Sequence, residues 1–252
     1  LRPGPAAEAL RALGAEIAAG HDPAHVEGAG AVVVTAAVPA DHPELVAARA
    51  RGIPVVKRAA ALGAVVNRGT VIAVAGTHGK TTTTAMTAAI LAEAGLDPTG
   101  FVGGRVPEWG GGLRPGSGRL YVVEADEYDR SFLALRPRAA VVTTVEADHL
   151  DVYGSLEAVE EAFRAFVALL PPDGFLAACV DDPGARRLFA AARPAGARVA
   201  YGLGPEAAFR AVEVELRGRG SRFVVDERGA ALGAFALAVP GAHHVRTALG
   251  AL

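Results

Sequence analysis

The sequence predicts an α/β protein with two parallel-sheet domains, the second ending in a small antiparallel extension. Three observations predict this. Short apolar runs rich in Val and Ala alternate with helix-length segments from about residue 31 to residue 202, the pattern of βα units that builds a parallel, doubly wound sheet. One run, Val71–Ala75, leads into a glycine loop and then a helix-compatible stretch to Ala94. Three strand-like runs near 209–216, 221–227 and 232–239 are joined by connections too short for crossover helices, so they pair antiparallel.

Taken in order, residues 5–13 read as an amphipathic helix ending at Gly14, and Glu16–Ala19 as a short strand. Ala31–Thr35 reads as a buried strand, followed by a helix over about 42–51, a strand at Gly52–Val56 and a helix over 58–66. Asn67–Thr70 is a short linker, dividing a domain at 1–68 from one at 69–252. In the second domain, the glycine-rich segment Gly100–Gly118 is either a flexible surface loop or a substrate-facing loop. Strands are expected over Leu120–Glu124, Ala139–Val145, Phe175–Val180 and about 198–202. Helices are expected over 155–170, where Leu156, Val159, Phe163, Phe166, Val167 and Leu170 fall on one face, over about 182–192, and from Gly241 onward. The chain starts at Leu1 mid-pattern, so a fragment is expected.

Composition narrows the function. Of the 252 residues 51% are hydrophobic, with abundant Ala, Val and Gly, enough for a sizeable core. A net charge of −2 gives no hint of nucleic acid or an anionic membrane as a partner. No apolar run reaches the roughly 20 residues of a membrane helix, so no membrane insertion is expected. The single cysteine, Cys179, excludes an internal disulfide, fits a reducing cytoplasm and lies in an apolar run as a buried thiol. The sequence carries no signal of oligomeric state.

The chemistry concentrates at three strand ends. In Gly76-Thr77-His78-Gly79-Lys80-Thr81-Thr82 the glycines let backbone N–H groups curl around an anion at a helix N-terminus. Lys80 is placed to reach outer phosphates, and the Thr81 hydroxyl to hold Mg²⁺. This is shorter than the usual G-x-x-x-x-G-K-[ST], whose first glycine falls here at Val74. A glycine turn before an ordinary helix would look similar, but the strand–loop–helix context favours the phosphate loop. So does lysine usage: Lys57 and Lys80 are the chain's two lysines, against arginine elsewhere, and a compact ammonium suits this position. The strand at 120–124 ends in Glu124, Asp126, Glu127 and Asp129. Such a cluster is often a solvated face, but at a strand end beside a phosphate loop it suits a metal carboxylate, Glu124 first. The strand at 139–145 ends in Glu146-Ala-Asp-His-Leu-Asp151, where three carboxylates flank His149. That setting favours a metal or phosphate role for His149 over a structural one.

These motifs, Gly76–Thr84, Glu124–Leu133 and Glu146–Asp151, together resemble the Mur ligase family, and the stretch from Gly20-His21 through Pro39–Glu44 to Arg51–Val55 is similar to that family's UDP-sugar domain. The resemblance covers essentially the whole chain, apart from the opening glycine-rich strand and the C-terminal domain of the family. It implies a truncated Rossmann-like N-terminal domain followed by a P-loop-type parallel-sheet ATPase domain. It implies that ATP phosphorylates the lactyl carboxylate of UDP-N-acetylmuramate and that an amine, most closely that of L-alanine, attacks the acyl phosphate to form an amide in peptidoglycan precursor synthesis. By position, Gly76, Thr77, His78, Gly79, Lys80, Thr81, Thr82 and Thr247 would bind ATP, with Lys80, Glu124 and His149 catalytic. Thr81 and Glu124 would hold one Mg²⁺ and His149 a second. His21, Thr35, Ala36, Ala37, Gly103, Gly104 and Arg114 would bind substrate. The chain departs from the family pattern at His244 and Thr247, at Thr144 and at Gly112, positions where the family commonly has asparagine. Alternatives are a ligase that attaches a tripeptide to the same sugar nucleotide, and a nucleotide-binding module without catalysis. The 252 residues alone are expected to bind nucleotide weakly and not to ligate.

Overall fold

A computed structural model describes residues 5–192 and 196–252. The chain divides into two compact units, one reaching to Leu62 and the other running from Gly63 to Leu252.

The first unit contains α1 (Pro5–Ala12), a 3₁₀ turn at Pro23–Val26 capped by the Asp22 side chain, β1 (Val32–Val34), α2 (Pro43–Ala50) and β2 (Val55–Lys57). β1 and β2 pair in parallel, with Val32 opposite Val55. Val26, Ala47 and Ala48 form the buried centre, with Val32, Ile53 and Val55 against it. Two expectations are corrected here. Glu16–Ala19 forms no strand; the unit's sheet has two strands among the described residues, and neither pairs with that segment. The run Ala31–Thr35 is not buried throughout, since Val33 is 56% exposed. With only one face of the pair covered, strand alternation turns Val33 to solvent.

The helix α3 (Arg58–Val66) spans the division and matches its expected limits. Beyond it come β3 (Thr70–Ala75), α4 (Lys80–Glu93), β4 (Thr99–Val106), β5 (Gly111–Arg114), β6 (Leu120–Ala125) and a 3₁₀ segment at Tyr128–Ala134. Then follow β7 (Ala139–Val142), α5 (Leu150–Tyr153), α6 (Leu156–Val167), β8 (Phe175–Cys179) and α7 (Pro183–Ala191). The unit closes with β9 (Ala197–Gly202), β10 (Phe209–Arg217), β11 (Gly220–Glu227), β12 (Ala230–Leu237) and α8 (Ala242–Ala251).

These strands form a single sheet in the order β12-β11-β10-β9-β8-β7-β3-β6-β4-β5. Pairing is parallel from β4 through β10 and antiparallel at both ends, β4 with β5 and β10 with β11 with β12. The antiparallel extension is therefore continuous with the parallel sheet. The strand β3 lies between β6 and β7, and Val71, Ala73, Val74 and Ala75 are fully buried, as expected of a central parallel strand covered on both faces. The chain builds one side of β3 with β4 to β6 and then crosses to the other with β7. Ligands of such sheets bind beyond the strand carboxyl ends at this reversal. The helix α8 closes one face by burying Val245, Ala248 and Leu249 against Val74, Val141, Cys179, Tyr201 and Phe223. The glycine-rich Gly100–Gly118 is not a free loop, because most of it is the β4–β5 hairpin at the sheet edge.

Candidate functional site

The loop between β3 and α4 is held open by its glycines and pinned by the end of β7. Gly76 has φ 140° and Gly79, the N-cap of α4, φ 84°. A Cβ on Gly76 would fall 2.0 Å from the Thr143 hydroxyl, and one on Gly79 3.1 Å from the Thr247 methyl. The Thr143 hydroxyl donates to the His78 carbonyl (2.5 Å), and the Thr144 hydroxyl accepts from the His78 N–H (2.9 Å). The Thr77 N–H donates to the Thr144 carbonyl (2.9 Å), and the Thr77 hydroxyl accepts from the Glu146 N–H (3.0 Å). Thr144 thus fixes the loop with both its backbone and its side chain.

Lys80 folds back over this loop. Its ammonium donates to the carbonyls of Gly76 (2.7 Å) and Thr77 (3.3 Å) and to Glu127 Oε1 (3.0 Å). Glu127 Oε2 is 2.8 Å from the same ammonium yet takes no directed hydrogen bond, so the carboxylate is bonded through one oxygen and attracted through both. Glu127 is almost fully buried, and that burial raises its pKa against the opposing pull of the Lys80 hydrogen bond and charge. The Tyr153 hydroxyl donates to the Glu127 carbonyl (2.5 Å) and fixes this backbone from α5.

Two groups of oxygen and nitrogen donors flank the lysine. In the first, the Thr81 hydroxyl donates to Glu124 Oε2 (2.9 Å), and the same oxygen accepts the Gly103 N–H (2.8 Å). Gly104 lies against Thr81, where a Cβ would be 3.2 Å from its methyl. In the second, Glu127, Asp148 and His149 each offer a ligand atom within 4.8 Å of the others. His149 Nε2 is 3.8 Å from Glu127 Oε1, and the ring packs edge-on against Tyr128 at 5.2 Å. His149 has φ 52°, a strained backbone for a non-glycine residue, held by its N–H donating to Asp148 Oδ1 (2.7 Å).

A cleft of about 490 Å³ opens beside the loop, lined by His78, Gly79, Thr82, Arg246 and Thr247 among others. Thr247 donates to the His244 carbonyl within α8 (2.9 Å), and His244 Nδ1 is 2.8 Å from the Pro240 carbonyl. Cys179 also borders the cleft, but it is buried and its thiol is pushed up to about 11, chiefly by burial.

The structure therefore brings together Gly76 to Thr82, Gly103, Gly104, Glu124, His149 and Thr247. It places Arg114 elsewhere in its bonding, on Asp97 Oδ1 (3.0 Å) and the Pro98 carbonyl (2.5 Å). His21, Thr35, Ala36 and Ala37 belong to the first unit, all exposed; Thr35–Val38 is a turn after β1, and the His21 ring lies 4.5 Å from that of His42. Sequence reasoning ranked Glu124 ahead of Glu127. The Glu127 contacts with Lys80 and His149, which arise across 47 and 22 positions, give no local signal.

Residues 74–252 match the Mur ligase middle domain, and residues 1–70 match the Mur ligase family, catalytic domain. The chain is 49% identical over 245 residues to the UDP-N-acetylmuramate–L-alanine ligase of Acidothermus cellulolyticus, covering 97% of this chain and 51% of that protein. It is 47% identical over 244 residues to the enzyme of the same name from Salinispora arenicola, covering 96% and 48%. The chain thus spans about half the length of the curated relatives it matches. Among solved structures, the UDP-N-acetylmuramate-alanine ligase of Thermotoga maritima superposes with a TM-score of 0.84 at 29% identity, covering 97% of this chain and 55% of that one. The UDP-N-acetylmuramate:L-alanyl-gamma-D-glutamyl-meso-diaminopimelate ligase of Neisseria meningitides superposes with a TM-score of 0.86 at 26% identity, covering 100% and 82%.

Proposed function

The chain belongs to the Mur ligase family, and from that premise we propose that it is the nucleotide-binding part of an ATP-dependent ligase that joins L-alanine to UDP-N-acetylmuramate in the cytoplasm, for peptidoglycan precursor synthesis. One observation carries the reading: a lysine ammonium, a threonine hydroxyl and a glutamate carboxylate converge around a glycine loop at the end of the central strand. In this reading the protein comprises a UDP-sugar domain at 1–68 and a central domain at 69–252.

The residues fit the groups assigned to them. The glycine loop offers backbone N–H groups at the N-terminus of α4, a setting for phosphate oxygens, and the adjoining cleft of about 490 Å³ has room for a nucleoside. Thr81 and Glu124 supply the hard oxygen donors that Mg²⁺ takes. Glu127, Asp148 and His149 would hold a second ion. Bound Mg²⁺ supplies charge neutralisation of the transferring phosphoryl group.

The chain's own part is positioning. Lys80 exchanges its loop carbonyls for phosphate oxygens and offsets the charge that develops as the lactyl carboxylate accepts the phosphoryl group. ADP is the leaving group of that transfer; the amine of L-alanine then adds to the acyl carbon and gives up a proton, the C–N bond forms, the C–O bond to phosphate breaks and inorganic phosphate leaves. Gly103 N–H and Thr81 hold Glu124 in place, and Tyr153 holds Glu127. Gly104 belongs to the same wall. His21, Thr35, Ala36 and Ala37 would contact the sugar nucleotide. Arg114 would act on substrate only by releasing Asp97, and Thr247 presents its methyl to the loop and its hydroxyl to α8.

A second reading is the tripeptide-adding ligase, favoured by the TM-score of 0.86 with the Neisseria structure. Identity of 47–49% to alanine ligases against 26% to that structure supports the first. The test is phosphate release from Mg-ATP with UDP-N-acetylmuramate by the full-length protein, comparing L-alanine with the tripeptide and using Lys80→Ala as control. Release that needs L-alanine and vanishes in Lys80→Ala is expected. Release only with the tripeptide would transfer the assignment to the second reading. No stimulation by the sugar nucleotide would leave a nucleotide-binding module.

A further inference from the structure

The first unit carries a second cluster of ligating side chains. His21 follows the turn at Gly20, which has φ 82°, and precedes Asp22, whose side chain caps the 3₁₀ turn. His42 and Glu44 bracket Pro43 at the start of α2. The chain thereby sets two imidazoles and a carboxylate side by side: each of the three offers a ligand atom, and all lie within 4.8 Å of one another.

The arrangement has the features of a metal site with outer support. The two imidazole rings meet edge to face, with centroids 4.5 Å apart and an interplanar angle of 84°. His42 Nδ1 is buried with no hydrogen-bond partner, so that nitrogen is not committed within the protein, whereas buried ring nitrogens ordinarily are. Glu44 Oε1 is oriented by His25 Nδ1 at 2.8 Å and by the Asp22 N–H at 3.3 Å. Metal-ligating carboxylates are ordinarily held by such outer contacts. His21 is exposed and leaves one side of the cluster open to water and to an incoming ion.

We propose that His21, His42 and Glu44 bind a divalent transition-metal ion of the zinc class. Two imidazoles and one carboxylate suit Zn²⁺, Co²⁺ or Ni²⁺ rather than Mg²⁺ or Ca²⁺. Ligand atoms about 2.1 Å from a tetrahedral ion are roughly 3.4 Å apart, so from separations within 4.8 Å binding draws the cluster in by at most about 1.4 Å, which the exposed His21 side chain accommodates by rotation. Three protein ligands leave the fourth position to water. The ion would tie the loop at residues 20–22 to the start of α2 within this unit. The inference shares His21 with the ligase reading, which assigns that residue to the sugar nucleotide, but it rests on His42 and Glu44, which that reading does not use.

The test follows histidine imidazole signals by two-dimensional ¹H–¹⁵N spectroscopy of the metal-stripped chain. It is made in a His149→Ala background with excess Mg²⁺ present, so that the cluster at Glu127 does not compete. Zn²⁺ is expected to move the His21 and His42 signals together and to saturate them at one equivalent, with Mg²⁺ alone moving neither. His42→Asn, which places a good helix-capping residue at that position, should abolish the shift of the His21 signal. His25→Ala should weaken Zn²⁺ binding by about tenfold while both signals still respond. His21 and His42 signals unmoved at one equivalent would overturn the proposal, and so would a His21 signal that responds equally in His42→Asn.

Discussion

The Lys80 ammonium lies 2.8 Å from the Glu127 carboxylate, and the two side chains are only 13% and 2% exposed. The loop's lysine is thus held in advance by a buried anion, beside the two loop carbonyls that phosphate would replace. Removing one side of a buried pair leaves the other charge uncompensated, a cost of about 3 kcal/mol. Lys80→Ala is therefore expected to lower stability by about that amount as well as to abolish nucleotide binding. Lys80→Met combined with Glu127→Gln should recover much of the stability and none of the binding. Urea denaturation and titration with a fluorescent nucleotide separate the two effects. Lys80→Ala as stable as the wild type would show that the pair contributes nothing.

The raised pKa of Glu127 gives the pair a pH signature. Burial is the larger influence, opposed by the Lys80 hydrogen bond and charge. The native state then holds the proton more tightly than the unfolded chain, so stability falls as pH rises between the two pKa values. The contribution of Glu127 is full below the ordinary glutamate pKa and is lost as pH climbs through its raised value. Unfolding free energy of the wild type minus that of Glu127→Gln should decline across that window and level off above it. A difference that grew with pH would mean that Lys80 outweighs burial and that the pKa is lowered.

The two loop glycines should differ in how far they tolerate a methyl group. At Gly79 the added Cβ meets a threonine methyl at 3.1 Å, and the backbone is left-handed. The cost expected for Gly79→Ala is about 1–2 kcal/mol. At Gly76 the Cβ meets the Thr143 hydroxyl at 2.0 Å and the Thr144 nitrogen at 2.9 Å, the two residues that pin the loop. Gly76→Ala should therefore be the more destabilising of the two and should lose nucleotide binding outright. Equal urea midpoints for the two variants would mean that β7 gives way more easily than its buried contacts imply.

Much of this was legible in the sequence because the signals are local. Arg58–Val66 is a helix between two strand-like runs, and Lys80 begins α4 directly after a glycine N-cap; neither needs tertiary information. Of the two readings of the glycine-rich stretch after residue 100, the flexible loop fails because glycine there serves close packing in a hairpin, with the Gly103 N–H reaching Glu124. Glu16–Ala19 misled because a short, mostly apolar run makes a strand only where a neighbour offers a ladder. That Glu127 as well as Glu124 faces the loop was beyond reach for a related reason. Both end the same strand in one acidic run, and only the chain reversal at Tyr128–Ala134 turns Glu127 inward to Lys80 and His149.

That reversal rests on Phe132, which yields the last prediction. Phe132 is 1% exposed, stacks on Phe166 with centroids 4.8 Å apart and meets Phe163 edge-on at 5.3 Å. Its N–H donates to the Asp126 carbonyl, closing the turn that carries Glu127. Phe132→Ala removes a buried ring between the acidic segment and α6, at a cost of about 3–5 kcal/mol. Because Glu127 depends on that turn, nucleotide and Mg²⁺ affinity should fall as well, under conditions where the variant remains folded. Phe132→Leu fills more of the space and should lose less of both. Urea denaturation paired with isothermal titration of Mg-nucleotide measures them together. Stability lost with affinity unchanged would show that Glu127 is held by Tyr153 and Lys80 alone.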